Sequence, residues 1–417
     1  MTSRRARITV VTSGHLSTCP RMLKSADALI AAGYDVRVIA TRHEPWATVT
    51  DRDVADRRTW AAEVITYRRG EGGATYWRSG ARYRASRAVA SMIGTARAPL
   101  AIVSRAYGRV HSELVRAIVA DPGDFIYGGT TGALAAIAEA ARRTGVPYGV
   151  DLEDFHSGES SGADATLSDA LAARVEHAVL RAAAFVTTSS EMIAAEYKVR
   201  EGVDAAVIHN TFPLPAQPPD LTRVDPACLR VYWFSQTIGP GRGLEDAIAA
   251  LGRAGVAALL ALRGRPQPGY FEALTMLAAA QAPRLRLVHL DPAPPDTMVE
   301  CARGYDVGLA LEQMTPLNRR ICLTNKVFTY ILAGTAVAMT DTPGQHALGA
   351  DLGRAAALVP PGDIGALADA FARWARDPAE LACAKRTAWN AATRRWHWED
   401  EAERGVLYRL VREAIAS

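Results

Sequence analysis

Residues 6–40 read ARITVVTSGHLSTCPRMLKSADALIAAGYDVRVIA, and this stretch decides the fold. ITVVTS is a short run of β-branched residues without polar alternation, the pattern of a strand buried on both faces. Pro20 suits the first turn of a helix, and Met22, Ala26, Leu29 and Ile30 fall close to helical spacing. Gly33 ends that helix, and DVRVIA returns as a second strand. A connection this short around a helix forces a parallel crossover, so the unit is β–loop–α–β.

The same grammar repeats downstream. DFIYGG (124–129), a helix over 133–144 and YGVDLE (148–153) form another unit; AAAFVTTSS (182–190) feeds a helix beginning near Glu191, and AAVIHN (205–210) follows. Next comes FPLPAQPPDLTRVDP (212–226), with five prolines in fifteen residues, which reads as an interdomain linker. A second series then runs LRVYWFSQ, helix 244–254, AALLALRG, helix 270–280, LRLVHLD, helix 296–303, VGLALE, helix 326–333, AVAMTD and AAALVPP. The expectation is an α/β protein of two doubly wound Rossmann-like domains facing a cleft. Its boundaries are 1–213 for the N-terminal domain, 214–227 for the linker and 228–390 for the C-terminal domain. A tail over 391–417, containing RRWHWEDEAER, is expected to cross back as a helix onto the N-terminal domain.

Bulk properties narrow the class. A chain of 417 residues exceeds one compact core, and 49% hydrophobic with 22% charged residues is ordinary for a soluble globular protein. No run of eighteen apolar residues occurs, and MTSRRARITVV leads straight into a strand, so neither a signal peptide nor a membrane span is expected. Five dispersed cysteines without a CxxC pair suit a reduced, cytoplasmic setting. A net charge of +4 gives no reason to invoke nucleic acid. Its distribution is uneven: residues 76–120 hold eight arginines against one acid, Glu113, interleaved with Tyr76, Trp77, Tyr83 and Tyr107. This stretch is read either as a solvated basic face or as a surface that rests on anionic lipid at the cytoplasmic side of a membrane.

The chemistry concentrates between Glu312 and Gln345. VGLALE delivers Glu312 at the C-terminal end of a strand, where open α/β sheets bind ligands. Thirteen residues later Asn325 and Lys326 open a helix, whose unpaired N–H groups and partial positive charge, reinforced by the lysine, suit a diphosphate. Asp51-Arg52-Asp53 spells a DxD, but it falls in a segment read as irregular after strand two, and no metal site is expected there.

With those residues in view, the order strand, acid, then NKVFTYILAGTAVAMTDTPGQ resembles the donor-binding block of retaining GT-B glycosyltransferases, the glycosyltransferase family 4 group. SQTIGPGRGLEDAI resembles that family's glycine-rich turn, with Arg242 at the position of its phosphate-binding lysine, beside Gly243. A guanidinium grips two phosphate oxygens at once. SGHLSTCPR, with Gly14, resembles the loop facing donor phosphates and acceptor. YGVDLEDFHSGES resembles the acceptor-side strand and loop.

The resemblance implies a transferase moving a sugar from a UDP- or GDP-linked donor to an unidentified acceptor, with no cofactor and no metal. Gly14, Arg242, Gly243 and Lys326 would hold the diphosphate. Arg263 (within ALRGRPQPGY), Glu312, Asn325 and Thr329 would face nucleoside and sugar. Arg21 and Asp151 would lie on the acceptor side, and His15, Glu153, Asp154 and Glu312 are the catalytic candidates. The chain departs from the family at three places: Thr329 stands where a ribose-binding glutamate is usual, Thr237 where an arginine precedes the turn, and Glu153 where a histidine follows Asp151. Two other readings use the same cleft: a nucleotide-sugar epimerase or hydrolase, and a catalytically silent nucleotide-sugar-binding protein.

Overall fold

The computed structural model describes residues 4–160, 165–222, 225 and 227–416. Of the stretch read as a linker, Arg223, Val224 and Pro226 lie outside the described residues. The chain divides into two compact units, Met1–Ile208 with Arg404–Ser417, and His209–Glu403. The terminal helix Val406–Ala416 therefore belongs to the first unit.

The first unit carries a seven-stranded sheet: β1 (Arg7–Thr12), β2 (Asp35–Arg42), β3 (Ala61–Thr66), β4 (Phe125–Gly129), β5 (Tyr148–Glu153), β6 (Phe185–Thr188) and β7 (Ala206–Val207). Every pairing is parallel, in the order β3-β2-β1-β4-β5-β6-β7. The order reverses between β1 and β4, so their C-terminal ends flank the switch point at which such sheets open a ligand crevice. Between β2 and β3 the structure corrects the sequence reading. Residues Ala47–Asp56, expected to be irregular, form a helix, and Ala61–Thr66 is a strand. That helix holds only Ala47, Asp51 and Val54 buried, too sparse an apolar stripe to announce itself.

The second unit holds β8 (Leu229–Ile238), β9 (Ala258–Pro266), β10 (Leu285–Leu290), β11 (Val307–Ala310), β12 (Ala336–Thr340) and β13 (Ala356–Val359). They are again all parallel, in the order β10-β9-β8-β11-β12-β13. Helices cover both faces, which is why β8 can be apolar throughout. Val231 and Trp233 join one core with the helices Leu244–Ala254 and Ile364–Arg376, while Tyr232 and Phe234 join the other with Asn325–Leu332. The switch point lies between β8 and β11. Those strands pair only at Val307↔Val231 and Gly308↔Tyr232, although β8 continues to Ile238. Beyond that register they are no longer paired, and the loops after both strands flank the opening.

Candidate functional site

In the second unit the loop after β8 and the loop after β11 meet. Gly243, at φ +69°, sits so close to Leu311 that a Cβ there would lie 2.6 Å from the Leu311 Cβ. Glycine is required on both counts, conformation and space. This contact brings the Arg242 turn beside Glu312, the residue following Leu311.

Glu312 is buried, at 2% exposure, and its carboxylate is shared: Lys326 Nζ donates to Oε1 at 2.9 Å and Arg319 Nη1 to Oε2 at 3.1 Å. Behind it, Thr340 Oγ1 donates to the Glu312 carbonyl at 2.6 Å, and Gln345 Nε2 donates to Thr340 at 3.0 Å. Burial alone would raise the Glu312 pKa, but Lys326, Arg319 and Arg242 outweigh it and bring it down to about 2. Lys326 is itself buried, which lowers its pKa; Arg242 and Arg319 push the same way, and Glu312 opposes them. One carboxylate thus faces three cations. The cluster lies at the switch point, at the start of the helix Asn325–Leu332, whose first N–H groups add partial positive charge.

The remaining donor-side candidates are placed as follows. Asn325 is the first residue of that helix and half-buried. Arg263, within β9, donates from Nε to the Tyr232 hydroxyl at 2.8 Å and from Nη1 to the Asp291 carbonyl at 2.7 Å. Thr329 differs from the expectation of a ribose contact. It is fully buried one turn into the helix, and its hydroxyl donates to the Asn325 carbonyl at 3.1 Å. A threonine at this position closes on its own helix, where a longer carboxylate would reach outward.

The first unit builds its own cluster at the β1/β4 switch. Ser13 N donates to Thr130 Oγ1 at 2.9 Å, and the two hydroxyls lie 2.8 Å apart. Thr130 holds φ +74° and Glu153 φ +54°, at the C-terminal ends of β4 and β5. Left-handed backbone at non-glycine residues is uncommon, and here two such residues stand on neighbouring strand ends. At Glu153 the β5–β6 register shifts, and Ser189 N and Oγ both donate to its carbonyl. Burial, reinforced by Asp154, pushes the Glu153 carboxyl up to about 7 against the pull of Arg21. Gly14 lies in the same loop as Ser13, where a Cβ would meet Cys19 Sγ at 2.5 Å.

His15 is held on both sides. The Glu44 N–H donates to Nε2 at 3.2 Å, which leaves Nδ1 to donate to Asp51 Oδ2 at 3.2 Å. Asp51 also accepts from Ser17 N at 2.8 Å and Ser17 Oγ at 2.7 Å, so the first aspartate of the DxD fastens the His15 loop. Asp53 pairs with Arg57 instead. Among the described residues no group of three or more His, Cys, Asp or Glu is arranged to hold a metal ion. Arg21 and Asp151, expected on the acceptor side, are buried in a two-pronged pair: Nε to Oδ2 at 2.6 Å and Nη2 to Oδ1 at 2.7 Å. Arg21 Nη1 also donates to the Ile208 carbonyl at 2.5 Å and Thr187 Oγ1 to Asp151 Oδ1 at 2.6 Å. Their visible task is to tie the first helix to β5, β6 and the chain after β7.

Sequence reasoning missed Arg319, Thr130 and Thr340. Arg319 had a readable signal, the basic pair in PLNRRIC seven residues beyond Glu312, but no periodicity assigns that segment. It forms a five-residue helix, Leu317–Ile321.

Comparison with known proteins agrees with this architecture. Residues 20–211 match the model of the glycosyl transferase 4-like domain. Compared by sequence with curated proteins, the chain has no match. Among solved structures it resembles the Anabaena protein HepE in complex with UDP-glucose, at TM-score 0.66 and 16% identity, covering 99% of this chain and 100% of that one. It also resembles the sucrose-phosphate synthase of Thermosynechococcus elongatus, at TM-score 0.66 and 14% identity, with the same coverage. Residues 20–211, a little under half of the chain, thus match the glycosyl transferase 4-like domain, and the chain shares the fold of these solved structures along its length.

Proposed function

We propose that the protein transfers a sugar from a nucleoside-diphosphate sugar, with UDP as the favoured nucleotide, to a hydroxyl acceptor. The observation that carries this reading is the Glu312 cluster, in which one carboxylate faces three cations at a sheet switch point. The HepE complex with UDP-glucose supports the choice of nucleotide. In this reading Arg242 and Lys326, with the N-terminus of Asn325–Leu332, neutralise the departing diphosphate as the sugar carbon develops positive charge, a task preorganised cations perform without a metal. Glu312 fixes the lysine where it is needed. Transfer with retention of configuration follows the family resemblance. On the acceptor side Glu153 and Asp154 are the groups best suited to orient or deprotonate a hydroxyl, since both ring nitrogens of His15 are engaged.

The test is a thermal-shift screen against UDP, GDP and their sugars, followed by product analysis with candidate acceptors. UDP should raise the melting temperature and the Lys326→Ala variant should lose that shift. A protein stabilised by none of these nucleotides is not such a transferase. Donor hydrolysis without transfer to any acceptor would favour the hydrolase reading.

A second proposal concerns the basic stretch. Arg82 and Arg116 bind Glu113, Arg87 lies over Tyr83 and Arg109 over Tyr67 and Tyr76, so these arginines serve the fold. Outward on the helix Gly73–Ile93 are Trp77, at 65% exposure, and Met92, at 79%, with Val89 and Ile93 also exposed beside Arg78 and Arg84. Apolar anchors flanked by arginines fit an anionic bilayer surface. No helix among the described residues is long and apolar enough to cross a membrane. Co-sedimentation with anionic vesicles should exceed that with neutral ones and fall in a Trp77→Ser/Met92→Ser variant; equal binding to both would remove the idea.

A further inference from the structure

The strand ladder stops short of Glu312. β11 pairs with β12 from Val307↔Ala336 to Ala310↔Met339, so Leu311 and Glu312 lie beyond the last paired residue. Main chain past the end of a ladder keeps its position only if other donors take up its carbonyls. Here those donors are side chains, and they come from the end of β12 and the turn after it.

Gln345 stands on the first turn of the helix Pro343–Leu352 and is fully buried. Its Nε2 donates at 3.0 Å to the Ala310 carbonyl, to the Thr340 carbonyl and to Thr340 Oγ1. An amide nitrogen donates and does not accept, so Thr340 Oγ1 is the acceptor in that contact. The Thr340 hydroxyl proton then goes to the Glu312 carbonyl, at 2.6 Å. A directed relay results, from the Gln345 amide through the buried Thr340 hydroxyl to the Glu312 main chain. The residue before Gln345 fits as closely. A Cβ on Gly344 would lie 2.5 Å from the Ile321 and Cys322 carbonyl oxygens, so the same helix turn also seats the segment leading to Asn325 and Lys326. One helix turn therefore sets the main chain on both sides of the Glu312–Lys326 pair, whose side chains meet at 2.9 Å.

We infer that Thr340 and Gln345 are positioning residues of the donor site. They hold the Glu312 main chain so that its carboxylate keeps Lys326 where a diphosphate is bound, and neither touches the ligand. A binding constellation has to be kept within about 0.5 Å of its productive geometry by the groups behind it. The inference rests on the donor reading above and adds two residues and their role to it.

The test is calorimetric titration of wild type, Thr340→Val, Thr340→Ser, Gln345→Met and the exposed control Arg286→Ala with UDP, uridine and inorganic pyrophosphate. Thr340→Val removes the hydroxyl at nearly constant volume; it should weaken UDP and pyrophosphate about fivefold and leave uridine within about twofold of wild type. Gln345→Met should act in the same sense. Thr340→Ser keeps the hydroxyl and should bind as wild type, as should Arg286→Ala. In a Glu312→Gln background Thr340→Val should weaken UDP no further, because the carboxylate it positions is gone. A purely structural role would instead lower the melting temperature of the free variants while UDP affinity stayed unchanged, or would weaken all three ligands equally. Either result, or a Thr340→Ser protein that binds as poorly as Thr340→Val, would overturn the inference while leaving the donor site standing. Should the Glu312→Gln protein be too unstable to titrate, the serine and valine variants decide. Wild type binding neither UDP nor pyrophosphate would sink the donor reading itself, and this inference with it.

Discussion

At the scale of single residues, two carboxylates have been moved in opposite directions, and each has a consequence for stability. Glu312 is held at about 2, below its ordinary 4.5, so the folded state favours its charged form. The stability this contributes is present above pH 4.5 and is lost as pH falls toward 2, at most about 3 kcal/mol. Glu312→Gln should therefore flatten the decline in urea stability between pH 5 and 2. At pH 7 it should cost about 3–5 kcal/mol, because Lys326 is left buried without its partner. Adding Lys326→Met should restore part of that loss. Glu153 behaves in the reverse sense. Its value is raised to about 7, so its contribution is complete below pH 4.5 and is lost as pH rises through 7. Glu153→Gln should gain roughly 1–3 kcal/mol over wild type at pH 8 and nothing at pH 4. A pH-independent difference between the two proteins would show that burial of this carboxyl has been misjudged. Of these residues, Glu312 and Lys326 were legible from their place at a strand end and a helix start. The identity of Glu312's partners was not, because Thr340 reaches it from the neighbouring strand and Arg319 from a five-residue helix that no periodicity announces.

At the scale of elements, the turn after β8 and the buried pair under β5 carry separable predictions. Gly243→Ala adds a methyl group to a left-handed turn against Leu311 and should cost about 1–3 kcal/mol. Displacing Arg242, it should also weaken UDP, whereas Gly255→Ala, at φ +65° with open space around it, should strain only the backbone and leave UDP affinity unchanged. Arg21→Ala leaves the Asp151 carboxylate buried without a charged partner and should lower urea stability by about 3–5 kcal/mol. If instead it left stability intact and altered only the acceptor KM, the pair would belong to the acceptor site. The helix Ala47–Asp56 shows why elements are read unevenly from sequence. Its mean composition is polar, and its placement depends on Asp51 reaching the His15 loop, a contact 36 residues apart in the chain.

At the scale of the molecule, each unit has its own sheet and core, and a ligand held by one should protect that one first. Hydrogen exchange with saturating UDP should slow at 237–244 and 311–329, with little change in β1 to β3. Protection spread evenly over both units would argue against a donor site built within the second. Apart from the helix Ala47–Asp56 and the strand after it, the sequence alone determined the main alternation of strands and helices, the parallel sheets and the division into two units. These follow from local hydrophobic runs, glycine and proline punctuation and short crossovers, all of which act between near neighbours in the chain. It also pointed to Glu312 and Lys326, because strand ends and helix starts are local features. Only the tertiary structure decided which charged groups meet. It enclosed Arg21 with Asp151, closed Thr329 on its own helix, bound both nitrogens of His15 and set Arg319 beside Glu312. Pairing a charge depends on burial and on partners from distant segments, and no pattern of neighbouring residues specifies either.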